Sequence, residues 1–211
     1  MGNRLANLAS QNQHKARELE ALLPGWTIEL LDSDGFPPET GPGYYENARA
    51  KARFGRMMGE FDVWMIGEDS GIEVDGLDGK PGVESARFAG DDPVGRLLEA
   101  LAGIDGDGRN ARYVCELVCL SPELEELRGS GTLEGRIAEE PRGTEGFGYD
   151  PIFVPEGETQ TVAELGDAWK AQHSHRARAA SRLIEAVAAA EESSRCSGRR
   201  EPRRRPGPRR L

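Results

Sequence analysis

The apolar run Val63-Trp64-Met65-Ile66 is followed, after one glycine, by two adjacent carboxylates, Glu68 and Asp69. A glycine-rich stretch then runs to Gly90. An apolar run of that length reads as a short buried strand. Ser70-Gly71 reads as a sharp turn, Val74 and Leu77 as apolar cover, and Gly76, Gly79, Pro81 and Gly82 as turn makers. The carboxylates would then stand at the strand's C-terminal end, where α/β sheets place their ligands. Adjacent carboxylates ahead of such a loop suit a hard cation and a phosphate chain. The same residues would also serve as an acidic surface turn.

The start of the chain reads either as a second anion site or as a well-capped helix with a solvated Lys15. Leu5, Leu8 and Ala9 predict a strand, Ser10-Gln11-Asn12 a polar turn, and Ala16, Leu19, Leu22 and Leu23 a helix ended by Pro24-Gly25. Asn12 suits the N-cap. Free N–H groups and the dipole at a helix N-terminus favour phosphate, and Lys15 adds a positive charge. Residues 26–31 predict a strand, residues 35–43 a Pro- and Gly-rich loop carrying Glu39, and residues 44–58 a helix with Glu46, Asn47 and Lys51 as polar positions. Leu97, Leu98 and Leu101 form a helical stripe over 93–101. Residues 111–120 and 130–137 predict two longer strands. A Gly-rich loop from Arg142 to Pro151 carries Phe147 and Tyr149, and the last helix is expected from Ala177 to about Glu191.

With 211 residues, the chain can bury one sizeable core. Its net charge is −10, yet residues 195–211 carry eight Arg against one Glu, so the remaining body is more acidic still. An acidic body repels nucleic acid, and no specific nucleic-acid partner is expected. Residues 1–192 read as the folded domain. Residues 193–211, Arg-, Pro- and Gly-rich, read as a basic disordered tail. Cys115 and Cys119 lie four apart in one predicted strand, roughly 13 Å along the chain. That is too far for a disulfide within the strand, and with no metal-type spacing these two and Cys196 of the tail read as reduced thiols of a cytoplasmic protein. No apolar run approaches a membrane span, and the first residues lack a signal-peptide core. The phosphate-loop pattern GxxxxGK[ST] is absent.

Five motifs, in one order, resemble the inosine triphosphate pyrophosphatase family, the Ham1-like proteins, over about residues 4–190. They are Ala9-Ser10-Gln11-Asn12 with Lys15 and Glu18; Glu39-Thr40-Gly41 with Tyr45, Glu46-Asn47-Ala48 and Lys51-Ala52; the Glu68 to Gly90 stretch; Pro141-Arg142-Gly143 with Gly146 to Phe153; and Ala163-Glu164 with Lys170 and Ser174-His175-Arg176. Ser10 replaces the usual Thr, Tyr45 is read as standing for Phe, Glu68 replaces the first Asp, and His173 takes the place of Ile or Val. The resemblance implies an α/β fold: a long twisted mixed sheet with helices on its faces, and two lobes flanking a central cleft. It implies a homodimer that hydrolyses ITP, dITP and XTP to the monophosphate and pyrophosphate.

The same resemblance implies Mg²⁺ as cofactor, held by Glu39 and Asp69 with Glu68 close by, and Asp69 as proton acceptor. A free Asp titrates near 3.9, and a neighbouring cation should lower that further. The turn Ser10, Gln11, Asn12, Gln13, His14 and Lys15, with Ser70, would bind the triphosphate. Lys170 and Arg176 would serve the phosphates or the base's keto groups, and Phe147, Gly148 and Tyr149 would flank the purine. Asp150 would touch the base edge or ribose, and His175 would read the 6-oxo group. Lys51, Arg87 and Arg142 read as surface or scaffold charges. The alternatives are a Maf-like nucleotide pyrophosphatase of other specificity, whose motifs are absent, and an inactive nucleotide-binding protein.

Overall fold

Ala6 and Leu8 share the buried face of the first strand, β1 (Arg4–Leu8), in the computed structural model, which describes residues 3–197. Asn12 then starts α1 (Gln13–Leu22) as expected. Its side-chain oxygen accepts from the N–H groups of His14 at 2.9 Å and Lys15 at 3.3 Å. β2 (Trp26–Leu30) returns parallel to β1, and the loop after it leads to α2 (Tyr44–Met58). Next come β3 (Trp64–Val74), the short α3 (Ser85–Ala89), α4 (Pro93–Ala100), β4 (Asn110–Leu120), β5 (Glu126–Ile137), β6 (Phe153–Pro155), α5 (Val162–His173) and α6 (His175–Ser197). The six strands make one mixed sheet in the order β2-β1-β3-β4-β5-β6. β1 is parallel to both neighbours, and the ladders from β3 onwards are antiparallel. α1 and α6 cover one face around Leu8, Leu19, Leu117 and Leu183, whereas α2 covers the other around Ala48, Ala52, Met65 and Val118. A separate core around Ile72, Leu97, Ile137 and Phe153 fills the far end. Among the described residues no helix is long and apolar enough to cross a membrane.

The turn expected at Ser70-Gly71 does not form. β3 runs straight through to Val74, paired residue by residue with β4 from Met65 to Val74. Gly71 serves close approach instead. A Cβ there would lie 2.3 Å from Gly82 O and 2.6 Å from Ser85 Oγ, so only glycine admits the 81–86 loop against the strand. β5 starts at Glu126, four residues before the expected Ser130. α5 was not expected as a helix. Its pattern is interrupted by Gly166, at φ 82°, although a Thr161–Glu164 capping box opens it. α6 continues through residues 193–197, which composition assigned to the tail, and residues 198–211 lie outside the described residues. The buried aromatic at the start of α2 is Tyr44. Tyr45 is half-buried against the Ala48, Ala52 and Met65 core, under the Arg128 guanidinium at 4.4 Å and donating to Glu126 at 2.7 Å. Cys115 and Cys119 are free and buried, as expected, while the Cys196 side chain lies outside the described residues.

Candidate active site

β1 pairs with β3 only over Ala6–Leu8 opposite Trp64–Ile66, and β3 then continues without it. The β3 edge from Gly67 to Gly71 is therefore unpaired on the β1 side, with the polar turn after β1 facing it, and the 80–85 segment covers the edge from Ile72 on. Successive side chains on a strand point to opposite faces. Glu68 and Asp69 thus stand on opposite sides of the sheet, and each gathers its own partners. The structure does not bring Glu68 to a shared cation site with Glu39 and Asp69. Adjacency in sequence separates these carboxylates because the chain between them is extended.

On the α2 face, Asp69 Oδ1 lies 3.0 Å from Lys51 Nζ, and Asp69 Oδ2 accepts from Asn47 Nδ2 at 3.0 Å. Lys51 also donates to Glu68 O at 3.0 Å and forms a close ion pair with Glu39. Asn47 Oδ1 accepts from Gly41 N at 2.8 Å, which draws the Glu39 loop to the strand. Asn47 and Lys51 are four residues apart, hence on one stripe of α2. Both are buried, and sequence reasoning missed both as site residues. The available signal was an Asn and a Lys at helical spacing beside the buried Ala48 and Ala52. Arg87, also read as a scaffold charge, reaches the other oxygen of Glu39 at 3.5 Å.

The two carboxylates differ in acidity. Burial, only partly offset by Lys51 and Asn47, raises the Asp69 pKa above its ordinary value. The neighbouring cation lowers it as expected, and burial outweighs that lowering. For Glu39, burial also acts upward, but Lys51, Lys15 and Arg87 outweigh it and the pKa falls. Two carboxylates that share one ammonium supply the hard oxygen donors that Mg²⁺ takes, one or two per ion with phosphates and water completing the shell. Lys51→Met removes that ammonium and leaves Asp69 with only Asn47, and Glu39 with only the more distant Arg87. The variant is expected to lose about 3 kcal/mol of stability, and added Mg²⁺ should restore more of its melting temperature than it adds to the wild type. An equal Mg²⁺ response in both proteins would refute the shared-cation geometry.

On the α6 face the charges alternate in a buried chain. Lys15 forms a close ion pair with Glu68, and Arg176 Nη2 lies 2.9 Å from Glu68 Oε1. Arg176 Nη1 pairs closely with Glu18, whose other oxygen lies 2.6 Å from Lys170 Nζ. Lys170 in turn lies 2.7 Å from Asp150 Oδ2. Glu18, a motif member with no role assigned from sequence, thus joins the last two cations. α6 can lie this close because a Cβ on Gly131 of β5 would meet His175 O at 2.1 Å. Burial acts to raise the Glu68 pKa, but Lys15 and Arg176 prevail and hold it well below the carboxylate range. A depressed folded-state pKa contributes stability that is present above the unfolded value, about 4.3, and is lost as pH falls below it. The melting temperature should therefore fall in that acid window, and Glu68→Gln should flatten the fall. An unaltered acid slope in Glu68→Gln would contradict the assignment.

Asn12, Lys15, Ser70, Phe147, Gly148, Tyr149, Asp150, Lys170, His175 and Arg176 converge on one cavity of about 270 Å³, joined by Tyr113 and Ser85. Ser10 shapes the turn, its Oγ accepting from Asn12 N at 3.1 Å. Gln11, Gln13 and His14 are exposed, and none of Ser10, Gln11, Gln13 or His14 lines this cavity. His14 stacks on Phe147 at 5.3 Å and lines a neighbouring cavity of about 390 Å³. Lys170 Nζ stands 4.3 Å from the Phe147 ring centroid. Asp150 does not present a free carboxylate to the cavity. Its oxygens accept from Lys170, from Phe147 N at 2.8 Å and from Tyr113 at 3.3 Å. The Tyr149 hydroxyl donates to Ser85 O at 3.1 Å. Burial, reinforced by Arg176, Lys170 and Lys15, pushes the His175 pKa well below the histidine range, so its imidazole is neutral.

The Ham1 family model matches residues 6–186. The dITP/XTP pyrophosphatase of Exiguobacterium sibiricum is 44% identical over 190 residues, covering 85% of this chain and 95% of that protein. That of Bacillus subtilis is 39% identical over 188 residues, covering 84% and 94%. Among solved structures, the Staphylococcus aureus Ham1 protein superposes with a TM-score of 0.73 at 32% identity, covering 90% of this chain and 100% of its own. A HAM1 protein from Coxiella burnetii gives 0.75 at 34% identity, covering 89% and 99%. By motif, matched length and fold, the chain belongs to the Ham1 family.

Proposed function

We propose that this protein is a nucleoside triphosphate pyrophosphatase that hydrolyses deaminated purine nucleotides, ITP, dITP and XTP, to the monophosphate and pyrophosphate. The observation that carries the reading is Asp69. It is a buried carboxylate gripped by Asn47 and Lys51, sharing Lys51 with Glu39 at the unpaired edge of β3. Across that edge lie Lys15, Ser70 and the cavity with neutral His175. Mg²⁺ would be held by Glu39 and Asp69, and when bound it supplies positive charge for the phosphates and acidifies water. Asp69 accepts the proton of the attacking water, a water that bound Mg²⁺ would already have acidified. Asn47 and Lys51 fix its two oxygens. Lys15 turns from Glu68 toward the phosphate chain, at the N-terminus of α1 where anions are favoured. The cavity takes the base, with His175 and Arg176 at its 6-position. A homodimer and a cytoplasmic location belong to the same reading.

The test is a nucleotide panel assayed with Mg²⁺ for pyrophosphate against phosphate release. Pyrophosphate from ITP, dITP and XTP, well above that from ATP, is expected. Release of inorganic phosphate alone would overturn the assignment, and absence of turnover on every nucleotide would favour a binding protein.

A further inference from the structure

We infer that Tyr113 is a positioning residue for base discrimination, the element that fixes His175 and the 147–150 loop relative to each other. The inference rests on the reading of the cavity as the base site. Tyr113 lies in the interior of β4 and lines the cavity. It stacks on the His175 ring at 4.6 Å with an interplanar angle of 13°, and Phe153 backs it at 4.4 Å. Its hydroxyl donates to Asp150 Oδ1 at 3.3 Å, while Asp150 Oδ2 holds Phe147 N and Lys170 Nζ. One side chain therefore ties the start of α6 to the cavity's loop wall.

His175 needs such a support. It is buried, and its Nδ1 has no hydrogen-bond partner among the described residues. A ring without a bond at that atom is aimed by packing, and the flat face offered to it is Tyr113. Rejection of a mismatched base through an unmet hydrogen bond works only if the base cannot shift away from the unmet group. A rigid floor is thus a condition of selectivity, and the floor here is the Phe153, Tyr113, His175 stack. Burial raises the Tyr113 phenol well above its ordinary pKa, which keeps it a donor to Asp150.

Tyr113→Phe keeps the stack and removes the donor. Tyr113→Leu removes both. Steady-state kinetics on ITP and ATP, with melting temperatures to verify folding, separate the two contributions. Tyr113→Phe is expected to raise KM for ITP about tenfold, the low end of the worth of one hydrogen bond to a carboxylate, with a smaller change in kcat and the preference for ITP kept. Tyr113→Leu is expected to lower the ITP to ATP ratio of kcat/KM by at least about tenfold, more than it lowers kcat for ITP. If folded Tyr113→Leu keeps the wild-type ratio, the inference is wrong. If Tyr113→Leu does not fold, an unshifted KM in Tyr113→Phe overturns it instead. A wild type with no preference for ITP would sink the base reading itself, which the same assays reveal separately.

Discussion

Asp69→Asn is expected to lower kcat by at least about a hundredfold, the low end of what a positioned general base contributes. The substitution keeps shape and one acceptor oxygen but removes the charge that faces Lys51 and the proton-accepting function. Folding should persist, because Lys51 retains its close pair with Glu39 and its bond to Glu68 O. Glu39→Gln should be milder. Glu39 is the more acidic of the two and is assigned only as a ligand, so high Mg²⁺ should relieve part of its defect. Mg²⁺ titration of turnover for both variants is the deciding measurement. If Asp69→Asn keeps more than about a tenth of wild-type kcat, above what loss of a base allows, Asp69 is not the base. Glu39 becomes the carboxylate to test, since Glu68 lies on the other face with both oxygens committed to Lys15 and Arg176.

The order of elements was legible from patterning up to the middle of the chain, and the family from five motifs in register. What the sequence hid were placements that only pairing decides. Ser70-Gly71 looks like a turn because glycine after serine is a turn signal. It is extended because β4 offers ten consecutive partners along Met65–Val74 and because the 81–86 loop needs the missing Cβ. Once that strand is extended, Glu68 and Asp69 cannot act as a pair, and two charge networks replace one. Lys51 looked like a solvated helix charge. It is buried because α2 packs against β3, so the alanines beside it face the sheet and carry it inward. The downward pull of a cation on Asp69 was legible, but not the burial that opposes Lys51 and prevails, which no local sequence rule contains. The α6-face cations were legible as residues, but not their prior commitment to Glu18, Glu68 and Asp150.

ITP should exceed ATP in kcat/KM by on the order of 10⁴, the range in which a site built for a hydrogen bond rejects the analogue that cannot make it. A 6-oxopurine offers an acceptor at O6, whereas a 6-aminopurine offers a donor there. His175 alone cannot tell them apart. A neutral imidazole presents either a donor or an acceptor according to its tautomer, and burial keeps this one neutral. Arg176 can. A guanidinium never becomes an acceptor. Arg176 lines the cavity, is 1% exposed, and its Nε has no acceptor among the described residues, while Nη1 and Nη2 are held by Glu18 and Glu68. An amino group facing that donor leaves two buried donors unpaired. Arg176→Lys preserves the charge that Glu18 and Glu68 require but removes the fixed donor, so it should lower the ITP to ATP ratio by at least about tenfold. The wild-type ratio should stay flat between about pH 6.5 and 8, because a His pKa lowered from its usual 6.5 leaves nothing to titrate there. Comparable kcat/KM for ITP and ATP would defeat this account. A ratio that survives Arg176→Lys but collapses in His175→Ala would move the selectivity from the guanidinium to the imidazole.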